Sequence, residues 1–171
     1  MLDGKISSKS ALGLIVAFLM GAGLGGLPPA PLHAVATDRQ ENFAMATGSV
    51  DEGIEAVFTL DFLTGDLRGA VLNPHTRTFS VTYHRNILAD LKVDGGKAPK
   101  FLMVTGQSYL RTGSNFNLSP CAVYVAELTT GNLAVYSFPF SGNSLSRPGN
   151  TPTQEFVPLE ILPFRTNTIR Q

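Results

Sequence analysis

The chain has 171 residues, which is enough for one domain and hardly more. Its 13 basic and 13 acidic side chains cancel, and this argues against a nucleic-acid partner, since such proteins need a basic face to neutralise phosphates. The single cysteine, Cys121, excludes an intramolecular disulfide and a cysteine-rich metal cluster, and a hydrophobic content of 43% excludes a disordered chain.

The first 36 residues have the layout of a secretory signal peptide. Lys5 and Lys9 precede an apolar run over residues 11–27, prolines follow, and residues 34–36 offer a small-x-small cleavage site. The run contains five glycines and is close to the shortest length that spans a membrane. We therefore expect cleavage after Ala36, with a retained membrane anchor over residues 11–27 as the alternative. In both cases the rest of the chain is expected in the periplasm, the cell envelope or the extracellular space.

Two stretches of the remaining chain match each other in the same order. Residues 43–48 match residues 101–106, and residues 56–67 match residues 122–133. Such a match predicts an internal duplication. The first unit is predicted over residues 37–93, the second over residues 94–164, and a flexible tail over residues 165–171.

Each unit is predicted to form a sheet of four antiparallel strands, because β-branched and aromatic residues alternate with a period of two. A short helix over residues 87–93, capped by Asn86, is expected between the units. Pro158 removes a backbone donor, so the last strand is expected at a sheet edge. The predicted strands cover residues 43–48, 56–63, 67–73 and 78–85 in the first unit and residues 100–106, 122–128, 133–140 and 155–162 in the second.

The hairpin between the second and third strands of each unit carries the same kinds of turn residue. A glycine takes the positive φ that a tight loop requires, and a carboxylate and a threonine hydroxyl are available to the turn amides. These predicted structural turn residues are Asp61, Thr64 and Gly65 in the first unit and Glu127, Thr130 and Gly131 in the second.

Residues 57–67 resemble the strand pair of quinoprotein-type β-propeller blades, in which a Leu-Asp-x-x-Thr-Gly hairpin joins the middle strands. Residues 60–65 fit that pattern, residues 126–131 fit it with Glu for Asp, and the tryptophan that follows in the family is missing in both. With the N-terminal signal, residues 60–74 are also similar to a group of short, uncharacterised exported bacterial proteins. The resemblance implies blade-like sheets and no activity. The family's cofactor ligands do not map onto this chain, so no cofactor is expected.

The predicted strands carry apolar groups on both faces, so each sheet needs cover on both sides. Two blades are too few to close a propeller, which takes at least about four. Three arrangements are open: the sheets pack face to face as a sandwich within one chain, copies of the chain self-associate (for example three copies), or the chain docks onto a larger partner.

No catalytic constellation stands out in the sequence. His75 and His84 lack partners at metal-ligand spacing. The acidic cluster at residues 51–55 lacks the alternating oxygen ligands of a calcium loop. No nucleophile elbow is present. No catalytic or metal-binding residue is therefore predicted.

The long loop over residues 108–120 is the one candidate recognition feature. It carries Tyr109, Arg111, Asn115 and Phe116. Exposed aromatic, amide and guanidinium groups on a long loop are typical of sugar or protein recognition.

The leading prediction is an exported, non-enzymatic interaction or scaffold protein with a protein partner or a second copy of itself. A membrane contact is expected only through an uncleaved N-terminal segment. The alternative is a carbohydrate-binding or ligand-binding module that uses the 108–120 loop, and a third possibility is a hydrolase with a dispersed site.

Overall fold

The computed structural model describes residues 37–94, 98–110, 117–146 and 153–165. The predicted signal peptide or anchor over residues 1–36 lies outside the described residues. So do residues 166–171 of the predicted tail, whereas Arg165 at its start donates its backbone N–H to the carbonyl of Gly131 at 3.4 Å.

The described part contains ten strands and one short 3-10 helix (Gly142–Ser146). The strands are β1 (Thr37–Arg39), β2 (Phe43–Asp51), β3 (Ile54–Asp61), β4 (Asp66–Asn73), β5 (Thr78–Asn86), β6 (Phe101–Gln107), β7 (Cys121–Glu127), β8 (Asn132–Ser137), β9 (Gln154–Glu155) and β10 (Val157–Pro163). The first sheet has the order β1-β2-β3-β4-β5-β9 and the second has the order β10-β8-β7-β6.

The predicted all-β class is confirmed, with one sheet of six strands and one of four. The four predicted strands of each unit pair with one another as an antiparallel meander. Two short strands, β1 and β9, were not predicted. The last predicted strand is divided at Phe156: Glu155 pairs with His84 in the first sheet, and β10 joins the second. β10 lies at a sheet edge, as Pro158 predicts.

The short helix predicted over residues 87–93 is wrong, because the chain makes a single turn there. Asn86 caps it as expected, accepting the backbone N–H of Leu88 at 3.2 Å. Lys92 then adopts a positive φ of 55°, and the N–H of Val93 bonds the carbonyl of Leu88, a pairing that ends a helix. The carbonyl of Leu91 instead accepts hydrogen bonds from side chains of the second sheet.

The matching segments are paired in the same register in the two sheets. Phe43 lies opposite Asp61, and its match Phe101 lies opposite Glu127. On the other side of the central strand, Leu60 lies opposite Leu67, and the matching residues 126 and 133 face each other likewise. Equivalent positions of the two sheets therefore have equivalent backbone neighbours.

One face of each sheet contributes to a single hydrophobic core. The two backbones approach most closely between β2 and β6, where Thr105 donates its hydroxyl to the carbonyl of Thr47. Gly48 is required there because a β-carbon would collide with the sulfur of Cys121. Towards β5 in the first sheet and β8 in the second, the space between the sheets is filled by four aromatic rings: Phe58, Tyr83, Phe138 and Phe156. The core is thus thin at β2 and β6 and thicker at the other end of the sheets.

Candidate functional site

The predicted turn residues are placed at the equivalent hairpins of the two sheets. Gly65 and Gly131 have φ values of 71° and 74°, where a side chain would be strained. Each donates its N–H to the carbonyl four residues earlier, at 2.9 Å and 3.0 Å. Asp61 Oδ1 accepts the N–H of Leu63 at 2.8 Å, and Thr64 Oγ1 accepts that of Asp66 at 3.3 Å. These contacts make the six residues a structural set.

Glu127 differs from its match Asp61 in being fully buried. Its carboxylate accepts the N–H of Lys100 at 3.0 Å and that of Thr130. Burial raises the pKa of the Glu127 carboxyl, but these backbone donors outweigh burial, so that its pKa is lowered. The longer side chain of Glu127 thereby ties the hairpin to the start of β6.

Of the predicted recognition loop, only the ends can be described. Tyr109 is strongly exposed, and its hydroxyl accepts a hydrogen bond from Gln107 Nε2 at 3.3 Å. Arg111, Asn115 and Phe116 lie outside the described residues. Of the predicted set, the structure therefore describes one exposed aromatic ring, that of Tyr109.

A groove of about 620 Å³ crosses the solvent-facing side of the first sheet. Its polar wall includes Arg68 and His84, and both reach Asp66, with contacts of 3.8 Å and 3.2 Å. The hydrogen bond from His84, followed by one from Asn86, lowers the pKa of Asp66. The same groove has apolar and hydroxyl walls from Val57, Thr59, Ala70, Thr82 and Thr153.

The buried reactive groups of the described part serve the fold. Cys121 is buried, and burial raises the pKa of its thiol to about 12, which keeps it protonated and unreactive. Arg85 forms a bidentate pair with Asp90 at 2.7 Å and 2.9 Å, and Tyr136 donates its hydroxyl to the same carboxylate. Within the described ranges, no three His, Cys, Asp or Glu side chains lie together as metal ligands.

Matching residues of the two sheets face opposite ways with respect to the core. Phe101 and Met103 of β6 point into the core and are 0% and 3% exposed. Their matches in β2, Phe43 and Met45, point away from the core and are each 52% exposed. The two sheets have the same register, so the core-facing side of the second sheet corresponds to the solvent-facing side of the first.

The reverse holds for the other pair of faces. Ala44 and Ala46 of β2 are buried in the core, whereas their matches in β6, Leu102 and Val104, are 45% and 51% exposed. We call the solvent-facing sides the first outer face (Phe43, Met45, Thr47, Val57, Thr59, Arg68, Ala70 and Leu72) and the second outer face (Leu102, Val104, Gly106, Tyr124, Ala126, Leu128, Leu133 and Val135).

Sequence reasoning did not find these faces as a site. Apolar groups on both sides of a strand predict that both sides are covered, but they do not tell which side faces the partner sheet. The available signal was the matching of residues 43–48 with 101–106, read together with the alternation of each strand.

The part of the chain that the structure describes contains no helix with the length and apolar composition of a membrane span. Comparison with family models, curated proteins and solved structures finds no match to this chain.

Proposed function

We propose that the protein is an exported, non-enzymatic interaction or scaffold module of the cell envelope or periplasm, and that its two outer faces are the surfaces it uses. The observation that carries this proposal is the set of exposed apolar side chains on the two outer faces, which lie on opposite sides of a well-packed core. Large contiguous apolar surfaces are rare on isolated soluble proteins and mark sites of protein association.

The positions of the apolar side chains support recognition of a broad, flat partner. Phe43 and Met45 lie on one strand of the first outer face, and Leu72 lies two strands away on the same side. Leu102 and Val104 form the corresponding row on the second outer face. Half-buried Thr, Val and Ala side chains lie beside the first row, and half-buried Tyr, Ala and Val side chains lie beside the second. Rows of apolar side chains on neighbouring strands are what a second sheet can pack against.

Photo-crosslinking in the exporting cell tests this proposal. A photoreactive residue is placed at Met45 or at Val104, and the matched control is placed at Glu52, which is exposed in the turn between β2 and β3. We expect protein adducts at Met45 and Val104 and none above background at Glu52. Absence of adducts at both outer faces would overturn the proposal.

The export step has its own measurement. The layout of residues 1–36 predicts that the exported protein begins at Thr37. N-terminal sequencing that reads Met1 in the membrane fraction would instead support the retained anchor over residues 11–27.

The exposed ring of Tyr109 favours a second candidate function, glycan binding, because aromatic rings stack on sugars. Binding to a glycan array that is lost in Tyr109→Ala and kept in Leu63→Ala, a variant at another exposed apolar residue, would support it. Binding that is equal in the two variants, or absent from the wild type, would eliminate it.

A further inference from the structure

We propose that the partner of both outer faces is a second copy of this chain. The second outer face of one copy stacks on the first outer face of the next, in the way the two sheets already stack inside each chain, and a small number of copies closes a ring. This proposal rests on the proposed function, because it names the partner of the same surfaces.

The first outer face carries the residues that the second sheet buries in the core. Four positions of the first outer face have identical matches in the core-facing side of the second sheet. These pairs are Phe43 and Phe101, Met45 and Met103, Thr47 and Thr105, and Val57 and Val123. In the second sheet, these side chains are covered by the first sheet. At these four positions the first outer face therefore presents the side chains that the second sheet packs against another sheet.

The second outer face supplies that surface. It corresponds, position by position, to the core-facing side of the first sheet, and its residues on β6, β7 and β8 and at Leu128 are apolar or small except for the hydroxyl of Tyr124. On the edge strand β10, Glu160 lies opposite Val135 on the same side. Glycine stands at the same place in both, Gly48 inside and Gly106 outside. The two halves of the internal interface are therefore present a second time, one on each outer side of the molecule.

Such an interface is heterologous, since it joins two different faces, and repetition of it gives either a closed ring or an open filament. The thin core at β2 and β6 and the aromatic-filled core at the other end give the pair of sheets a wedge shape. Stacked wedges curve, which favours closure. Rings of this kind contain about four to eight sheets, so about two to four copies are expected.

The internal contacts also specify which residues meet between copies. Within the chain, Phe62 lies against Phe101, with ring centres 5.6 Å apart. The matching positions are Leu128 on the second outer face and Phe43 on the first. Phe58 and Phe138, 5.5 Å apart, correspond likewise to Tyr124 and Leu72. We therefore expect Leu128 of one copy beside Phe43 of the next, and Tyr124 beside Leu72.

The first test is the mass of the protein in solution, using residues 37–171, the chain expected after cleavage. Light scattering at micromolar concentration should give two to four copies per particle. Met45→Glu and Val104→Glu, one on each outer face, should each give a folded monomer, with circular dichroism as the check on folding. Glu52→Lys is the control and should assemble like the wild type.

Mixing the two monomeric variants is the decisive step. Met45→Glu keeps an intact second outer face and Val104→Glu keeps an intact first outer face, so the mixture should form a one-to-one complex that does not grow further. A mixture that stays monomeric while the wild type assembles would overturn the head-to-tail arrangement.

A cysteine pair tests the predicted contact directly. The variant Phe43→Cys/Leu128→Cys should form disulfides between copies on oxidation, giving a ladder that ends at the ring size. Glu52→Cys/Leu128→Cys is the matched control and should give no ladder. Cys121 is buried in every variant and stays out of the reaction.

A wild-type chain that is monomeric throughout would overturn the inference. If photo-crosslinks from Met45 or Val104 then lead to a different protein, the proposed interaction function survives and only the identity of the partner fails. If no crosslinks form either, both proposals fail.

Discussion

The two sheets share their register and several of their residues, yet they differ in which side is dry. Phe101 lies in the core, and the identical Phe43 lies in solvent. The same contrast separates Glu127, which is fully buried, from Asp61, which is half-buried. For Phe101 and Phe43, local sequence cannot produce this difference, because the two residues are identical and their backbone neighbours match. It arises because the side of the second sheet that packs on the first sheet matches, position by position, the side of the first sheet that faces solvent.

Both sheets have two different faces, and matching faces carry similar residues. A sheet whose two faces are complementary to each other can stack on a copy of itself with no change in the residues of either face. The internal stack uses one face of each sheet and leaves the other face of each unused. The exposed apolar residues are then the two ends of a stack rather than scattered surface residues.

The largest expected effect comes from truncating the matched phenylalanines. Phe101→Ala should lower the free energy of unfolding by about 3–5 kcal/mol, because it opens a cavity in the core beside Phe62. Phe43→Ala should cost under about 1 kcal/mol in dilute solution, since half of its surface is already in water. Urea denaturation below the concentration of any self-association measures both. Equal costs would contradict the inversion of the faces.

An intermediate effect is expected at the matched carboxylates. Glu127→Gln should cost about 1.5–3 kcal/mol, because the buried charge accepts backbone hydrogen bonds. Asp61→Asn should cost less, since the residue is half-buried at the turn.

The same pair gives a pH signature. The pKa of Glu127 is lowered in the folded state, so its contribution is present above the ordinary value of 4.5 and is lost as pH falls from there through the folded value. Wild-type stability should therefore decline more steeply than that of Glu127→Gln in this window, measured by urea midpoints. Parallel pH profiles for the two proteins would contradict the role of the carboxylate.

The smallest effect is expected at the matched threonines. Thr105→Val removes the hydroxyl that reaches across the core to the carbonyl of Thr47, at a cost of about 0.5–1.5 kcal/mol. Thr47→Val leaves that carbonyl in place, and the side chain at this position lies on the first outer face. Its effect on the free energy of unfolding of the dilute protein should therefore be close to zero. Thermal unfolding of both variants in parallel measures the difference, and a reversed order of stability would contradict the assigned faces.

Most of the strands could be predicted from the sequence, because period-two alternation is a local signal. The failures were segments held by contacts distant in the chain. Residues 87–93 are compatible with a helix, but they form a turn, and the Leu91 carbonyl accepts hydrogen bonds from the side chains of Thr130 and Asn132. β1 and β9 are two or three residues long and depend on a neighbouring strand for pairing.

The candidate surfaces were only half predictable for a related reason. Sequence showed that both sides of each strand are apolar and need cover, which led to three open arrangements. It did not show that Phe101 and Phe43 have opposite fates, because alternation gives the period of a strand and not the sign of its faces. The predicted recognition loop, in contrast, drew on residue type alone, and of its set only Tyr109 is described.

Residues close together in the chain specify the strands, the hairpins at Gly65 and Gly131, and the edge position required by Pro158. Which face of each sheet is buried, where the chain crosses between sheets at Phe156, and which apolar rows stay in solvent depend on how the sheets pack. Burial is a property of the whole packed molecule: the free energy gained by removing a side chain from water depends on what lies opposite it.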